Sequence, residues 1–369
     1  AAMRLNLHSR LASRVLVGVM QRPYRSEDDI YEAACDVAWE AWLTPRHRFK
    51  IDITASKSPL KSIHFAALRV KDAICDRFRH KTGERPSVDT MRPDARIYVH
   101  LSAEHVSLYV DTSGEALFKR GWRQDKGDAP LKETLAAAML AASGWWDVDG
   151  GPCEQPLYDP CCGSGTIVIE AAQIALGLPA GGQRRFGFER LLPFQQHVWD
   201  AIKSEAPRAD STRARGQIDQ KNVLIFGSDV AHRMVDFAQR NAQLAGVEQA
   251  VQLRGGDALQ RKPPCAVPPQ GAVILTNPPY GERIEVAGVA KAAELRGQRV
   301  HRVSAGGFGA GDAAARPARE SAQLESNDAD FFTQLASHWK THFDGWTAWL
   351  LVPDMKLPGK MRLKESRRV

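Results

Sequence analysis

The chain has 369 residues, 43% of them hydrophobic and 25% charged, an ordinary balance for a folded globular protein and enough length for two domains. No run approaches the roughly 18 consecutive apolar residues of a membrane-crossing helix, and the opening AAMRLNLHSR lacks the apolar core of an export signal, so no membrane association is expected and the cytoplasm is the expected compartment. The net charge is +7, and residues 1–126 hold 22 Lys and Arg against 16 Asp and Glu, so nearly all the excess lies in the first third, as expected of a polyanion-facing module beside a near-neutral one.

In chain order, residues 28–43 (DDIYEAACDVAWEAWL) have the pattern of an amphipathic helix. FKIDITAS (49–56) alternates Phe49, Ile51 and Ile53 as a strand does. A helix follows, with Ile63, Ala66, Ala67, Val70, Ile74 and Phe78 at helical spacing, and TGERP stops it with Gly83 and Pro86. Ile97, Val99 and Leu101, then Val106, Leu108 and Val110, form two strands joined by the short SAEH turn, a hairpin. The β-α-β-β order gives a small sheet with a helix on one face. Its basic residues cluster at Arg46, Arg48 and Lys50, at Lys57 and Lys61, and at Arg77, Arg79 and Lys81, which makes them the candidate nucleic-acid contacts.

From about residue 130 the pattern changes. LKETLAAAMLAASGWW (131–146) is a strong helix former, and then strands (LYDP, VLIFGSD, VQLRGGD, GAVILTNPPY, WTAWLLVP) alternate with helices (TIVIEAAQIALGL, HRMVDFAQRNAQLAG, FFTQLASHWKTHF). Continuous apolar strands separated by helices predict a parallel sheet covered on both faces. Two segments interrupt it. Residues 181–221 contain a local helix with aromatic anchors, and residues 285–329, rich in Ala, Gly, Arg and Ser, read as a flexible insertion. The six cysteines (35, 75, 153, 161, 162 and 265) form no C-x-x-C pair and no zinc spacing, so no metal is expected and they read as small apolar fillers.

Ligands of such sheets bind beyond the carboxyl ends of the strands. After the first strand comes D-P-C-C-G-S-G-T: Asp159, Cys161, Gly163, Gly165 and Thr166. The glycines allow a tight turn and close backbone approach, and the helix beginning near Thr166 aims free N–H groups at the same place. A nicotinamide-binding turn would have a third glycine where Val168 stands, and the acid Asp159 would repel a pyrophosphate. An ammonium suits it better, so the expected cofactor is S-adenosylmethionine, with a plain glycine turn as the other reading. Asp229, ending FGSD, is expected on ribose hydroxyls, or else as a helix cap, and Asp257 in RGGDAL on the adenine amine. The strand ILT runs into Asn277-Pro278-Pro279-Tyr280. Two prolines stiffen the bend and donate no hydrogen bond. The Asn277 side-chain oxygen and the Pro278 carbonyl can both accept from one exocyclic amine, and Tyr280 can stack on the base that carries it. Positioning and desolvation then carry the catalysis.

These residues resemble the bacterial THUMP-domain 23S ribosomal RNA guanine-N2 methyltransferases, in the short form or the first catalytic half of the fused form. The matching segments are HSRLASRVLV, AALRVKDAICDRF, RPSVD, DTSGEALFKRGWR, APLKETLAAAMLAASGW, DPCCGSGTIVIEAA and NPPYGER, in that order. The resemblance implies a Rossmann-like class I methyltransferase sheet (126–369) preceded by an α+β THUMP-like RNA-binding domain (46–125), with residues 1–45 as the remnant of an N-terminal ferredoxin-like region. It places Pro130, Lys132 and Thr134 on the methionine side of the cofactor, Asp159, Gly163, Gly165, Asp229 and Asp257 in the cofactor site, Asn277 to Tyr280 in the catalytic loop, and Arg283 on a substrate phosphate. The implied partner is 23S rRNA, with the reacting base unpaired or flipped out. About fifty residues that such proteins have before the THUMP part, the last strand of the sheet and the second fused domain have no counterpart, so the chain is expected to be a fragment. Transfer RNA guanine-N2 methylation, DNA adenine-N6 methylation and a non-catalytic RNA-binding role are the other readings.

Overall fold

Alternation along residues 95–111 becomes a hairpin. β4 (Ala95–Leu101) buries Ala95, Ile97, Val99 and Leu101, and β5 (His105–Asp111) buries Val106, Leu108 and Val110. The structure, a computed structural model, describes residues 1–127, 130–147, 151–152, 154–206, 224–280, 326–352 and 356–363. The chain divides into two compact units: Ala1–Arg123 with Lys132–Ala138 and Leu176–Gln217, and Gln124–Leu131 with Met139–Ala175 and Ile218–Val369.

The first unit holds α1 (Ala2–His8), β1 (Leu16–Pro23), α2 (Glu27–Asp36), β2 (Arg48–Ala55), α3 (Ile63–Thr82), β3 (Ser87–Val88), β4 and β5. Its strands form one sheet in the order β1-β5-β4-β2-β3, with β2 parallel to β4 and β5 antiparallel to both β4 and β1. Helix α3 buries Ala66, Val70, Ala73, Ile74, Cys75 and Phe78, which join Ile30, Phe49, Ile97 and Val99 in one core. Ile63, expected on that face, is 40% exposed, because it opens the helix beyond the edge of the core. Ser26 caps α2 in a reciprocal box with Asp29. The sequence reading contains no strand over 16–23. β1 is an edge strand with no fully buried residue, so it lacks the clean alternation that betrays a half-buried strand. Both β1 and α2 come from the stretch read as a separate N-terminal region, and they share this sheet and core. A smaller core of Leu7, Leu117, Phe186, Phe188, Trp199 and Ile202 includes α6 (Gln196–Glu205), the helix expected within 181–221.

The second unit contains β6 (Trp146–Asp147), β7 (Gly151–Pro152), β8 (Leu157–Asp159), α5 (Thr166–Ala175), β9 (Ile225–Asp229), α7 (His232–Leu244), β10 (Gln252–Gly255), β11 (Ala272–Thr276), α8 (Ser326–His342), β12 (Trp346–Leu350) and α9 (Leu357–Met361). Helix α4 (Glu133–Ala142) has residues in both units. Five strands form the expected parallel sheet in the order β10-β9-β8-β11-β12. All five residues of β11 and all ten of α5 are buried, as continuous apolar runs require. The chain runs outward from β8 through β9 to β10, then returns to the other side of β8 as β11. The strand order therefore reverses between β8 and β11, the position at which doubly wound sheets open a ligand crevice. Residues 285–325 of the expected insertion lie outside the described residues, and its last four, 326–329, are the start of helix α8.

Candidate active site

A cleft of about 280 Å³ opens at that reversal. Four strand ends supply its polar groups: Asp159 closes β8, Asp229 closes β9, Asp257 follows β10 by two residues, and Asn277 follows β11. Pro130, Cys161, Gly163, Thr166, Pro278 and Pro279 also line it, so ten of the residues expected from sequence meet in one place. Lys132, Thr134, Gly165 and Tyr280 do not line it. Lys132 is exposed with its ammonium 5.5 Å from the Phe118 ring centre, and Thr134 is half-buried; both group with the first unit.

The turn after β8 is built by its glycines. Gly163 has φ +54, and a Cβ there would meet nothing within 4 Å, so its backbone is open to a ligand; its N–H donates to Asp229 Oδ2 over 2.9 Å. Gly165, with φ +87, does a different job from the one expected. A Cβ there would meet Ala238 Cβ at 3.0 Å and Ile169 Cδ1 at 3.1 Å, so this glycine lets α7 pack close to the turn and touches no ligand space.

The three acids differ in setting. Asp159 is 2% exposed; its Oδ1 accepts from the Thr276 hydroxyl at 2.7 Å and from the Cys161 N–H at 3.1 Å. Burial, reinforced by the Asp229 charge, pushes its carboxyl up to about 7 against the pull of those two bonds. Asp229 is half-buried and raised by burial; besides Gly163 it accepts from the Ala231 N–H at 2.9 Å, next to the start of α7. It thus braces both turns, and each oxygen keeps a lone pair for a ligand. Asp257 Oδ1 accepts from the Leu259 N–H at 2.9 Å. Burial also raises the Cys161 and Cys162 thiols well above their ordinary range, which keeps them neutral fillers.

Among the described residues, the Asn277 side chain and the Pro278 carbonyl take part in no hydrogen bond. The strand ladder ends one residue earlier, where the Leu351 N–H donates to the Thr276 carbonyl over 3.1 Å. Tyr280 departs from expectation. Its ring stacks on Phe332, with centroids 5.8 Å apart and planes at 20°, inside the apolar cluster under α8. Its hydroxyl is buried without a partner among the described residues. A large apolar ring beside an apolar helix face is held there by packing, so the base-stacking role expected of it is not the one this arrangement offers. The ring that does line the cleft is Phe331, whose one-residue offset from Phe332 gave no sequence signal. Gly127, Leu131, Pro160, Cys162, Ser164, Ile167, Val230, Ala231, Met234 and Ala258 were likewise missed as lining residues. Most adjoin an expected residue in sequence, and Met234 is one turn into α7.

The candidate RNA contacts all belong to the first unit except Arg283, which lies outside the described residues. Arg46, Lys57 and Lys61 are exposed, and among the described residues they make no ion pair. Arg48 pairs with Asp89 and Asp94 at 3.0 and 3.3 Å, Lys50 with Asp52 at 2.9 Å, and Arg79 with Asp76 at 2.8 Å. Lys81 is exposed, 3.9 Å from Glu40. Arg77 is a correction. Its Nε and Nη2 grip both Glu40 oxygens at 2.7 and 2.6 Å, and Nη1 donates to the Cys35 carbonyl at 2.6 Å, so its guanidinium is consumed internally. The same bonds hold the Glu40 carboxyl down at about 2.

Comparison with known proteins gives these features a context. The THUMP domain matches residues 24–111, and the RMKL-like methyltransferase domain matches residues 120–307. The chain is 35% identical over 99% of its length to a ribosomal RNA large subunit methyltransferase K/L of Shewanella pealeana, and 34% identical over 100% of its length to one of Shewanella loihica. It spans 44% and 45% of those relatives, so under half of each. Among solved structures, a protein from Listeria monocytogenes described as a predicted N6-adenine-specific DNA methylase superposes with a TM-score of 0.73 at 25% identity, over 99% of this chain and 82% of that one. No helix among the described residues is long and apolar enough to cross a membrane. Four of the parallel sheet's five strands with the reversal at β8 and β11, an acid-floored glycine turn and an N-P-P-Y bend thus sit within a matched domain, and the chain belongs to the RMKL-like methyltransferase family, with a THUMP domain ahead of its methyltransferase domain in sequence.

Proposed function

We propose that this chain transfers a methyl group from S-adenosylmethionine to the exocyclic N2 amine of a guanine in 23S rRNA. The observation that carries the reading is the composition of the cleft. Three carboxylates line it and, among the described residues, no Lys or Arg does. Such a floor favours a cationic, phosphate-free ligand and disfavours a dinucleotide. S-adenosylmethionine, with its ammonium and sulfonium, fits that donor set. When bound it supplies the activated methyl.

The roles of the chain's own residues follow from their places. Asp159 and the Gly163 turn would hold the methionine end, Asp229 the ribose hydroxyls, and Asp257 the adenine amine. Asn277 Oδ1 and the Pro278 carbonyl, both without partners among the described residues, would accept the two N–H bonds of the guanine amine. Those bonds would turn the nitrogen lone pair out of conjugation with the ring and hold it facing the activated methyl, with S-adenosylhomocysteine as the product released and the amine's proton passing to water. Phe331 would wall the cleft with an apolar face. Rate enhancement comes from orientation and from excluding water. The first unit would contribute RNA affinity through Arg46, Lys57, Lys61 and the more exposed of the paired cations, by contacts to phosphate that carry little sequence information. The large-subunit rRNA named for the Shewanella relatives supports the substrate, since the match to them covers 99% and 100% of this chain. Such a substrate implies work in the cytoplasm.

The test is methyl transfer from labelled S-adenosylmethionine to unmodified 23S rRNA, tRNA and duplex DNA, with the product nucleoside identified by mass. N2-methylguanosine in 23S rRNA is expected. Methylation confined to tRNA would overturn the substrate, and N6-methyladenine would overturn the acceptor atom.

A further inference from the structure

We propose that Asn241, a residue outside the cleft, is a positioning residue that sets one of the cleft's walls. The inference rests on the functional reading above. Asn241 lies on α7 and is 0% exposed. Its Oδ1 accepts from the backbone N–H groups of Gln124 and Asp125, at 3.2 and 3.3 Å. Its Nδ2 donates to the Asp125 carbonyl at 2.9 Å and to the Ser164 carbonyl at 3.1 Å. A carboxamide has two acceptor sites and two donors, and here all four are used. One side chain therefore ties two backbone segments together. One segment leads into Gly127, Pro130 and Leu131 of the cleft wall, and the other is the glycine turn through Gly163 and Ser164.

Residues 124–127 have little else to order them. Among the described residues they make no backbone–backbone hydrogen bond. Two weaker braces come from the same helix. Arg240 Nε pairs with Asp125 Oδ2 at 2.7 Å, and a Cβ on Gly127 would meet Met234 Cε at 3.2 Å, which places that backbone against α7. No other residue type does Asn241's work. Asp has no donor for the two carbonyls, Leu would take this shared partner from two N–H and two C=O groups at once, and Gln is a methylene too long for a packed site. Asn241 touches no ligand space; it fixes the distance between two groups that do.

Hydrogen exchange and calorimetry on the whole chain test this. In the unliganded wild type, the Gln124 and Asp125 amides should be protected, and in Asn241→Ala they should exchange at least roughly tenfold faster. The same variant should bind S-adenosylhomocysteine roughly tenfold more weakly, and its KM for S-adenosylmethionine should rise by more than its kcat falls. A folded Asn241→Ala chain with wild-type exchange at those two amides, or with an unchanged Kd, would overturn the role. Should that variant fail to fold, wild-type exchange still decides, because unprotected Gln124 and Asp125 amides overturn the role without any substitution. A wild type that is protected there yet does not bind S-adenosylhomocysteine would overturn the functional reading and this role with it, whereas a binding wild type beside an indifferent variant overturns the role alone.

Discussion

The Thr276 hydroxyl donates to Asp159 Oδ1 over 2.7 Å, and this bond joins the ends of β11 and β8 where the strand order reverses. It anchors the acid at the floor of the cleft while burial raises its carboxyl to about 7. An ammonium placed against Asp159 would favour the ionised form, so binding should release a proton near neutral pH. The affinity for S-adenosylhomocysteine should therefore rise between pH 6 and 8 and level off above, and calorimetry in buffers of different ionisation heat should register the proton. Stability runs the other way. The folded chain holds this proton more tightly than the unfolded one, so the acid's contribution falls as pH climbs from about 4 through about 7. Asp159→Asn should be the more stable protein at pH 8, by up to roughly 4 kcal/mol, and the weaker binder. A pH-independent affinity would detach Asp159 from the ammonium.

Asn277→Ala should remove one of the two acceptors proposed for the substrate amine. Methyl transfer should fall by roughly 10²–10³ in kcat, the usual cost of losing one oriented polar group at a reacting atom. The Kd for S-adenosylhomocysteine should change far less, since the proposed contacts from three other strand ends would remain. Single-turnover assays beside calorimetry separate the two effects, and a variant that keeps wild-type turnover would end the role.

Tyr280→Phe should stabilise the folded chain by about 1 kcal/mol, because the hydroxyl is buried with no partner among the described residues and its desolvation is not repaid. Burial pushes that phenol well above its ordinary range. Thermal melting checks the sign. A loss of stability would mean that the hydroxyl has a partner in solution.

Lys57 and Lys61, between β2 and α3, are exposed cations with no ion pair among the described residues, and Arg77 is the internal one. Replacing either lysine by Ala should weaken RNA binding and lower the slope of log K against log salt by about 1. Arg77→Ala should instead destabilise the chain, leaving Glu40 without its bidentate partner. Binding assays across a salt series, run beside chemical denaturation, distinguish the two. An Arg77 variant of full stability but weaker, less salt-sensitive binding would reverse the assignment.

Much of this was legible in the chain. The alternation along 95–110 and the apolar runs from 157 to 350 expressed how much of each strand is buried, which is why both sheets could be anticipated. Asp159, Gly163, Asp229, Asp257 and Asn277 could be placed at strand ends because strand ends are where polar residues interrupt those runs. What failed did so for a reason of packing. Arg77 looked like its basic neighbours until Glu40, 37 residues away, took both arms of its guanidinium. Tyr280 looked like a stacking ring until Phe332 supplied a closer face. β1 stayed hidden because an edge strand buries too little to show a period.

The sequence by itself determined which groups exist to do chemistry: the acids, the glycines and the asparagine before two prolines, each carried at the end of an apolar run whose period fixes its local structure. Tertiary structure decided which of them share one cleft, which cations are spent internally, and that Asn241 joins two walls separated by some forty residues of chain. Local propensity acts over a few neighbours, whereas hydrogen bonds and close packing between distant segments exist only once the sheet has brought them together.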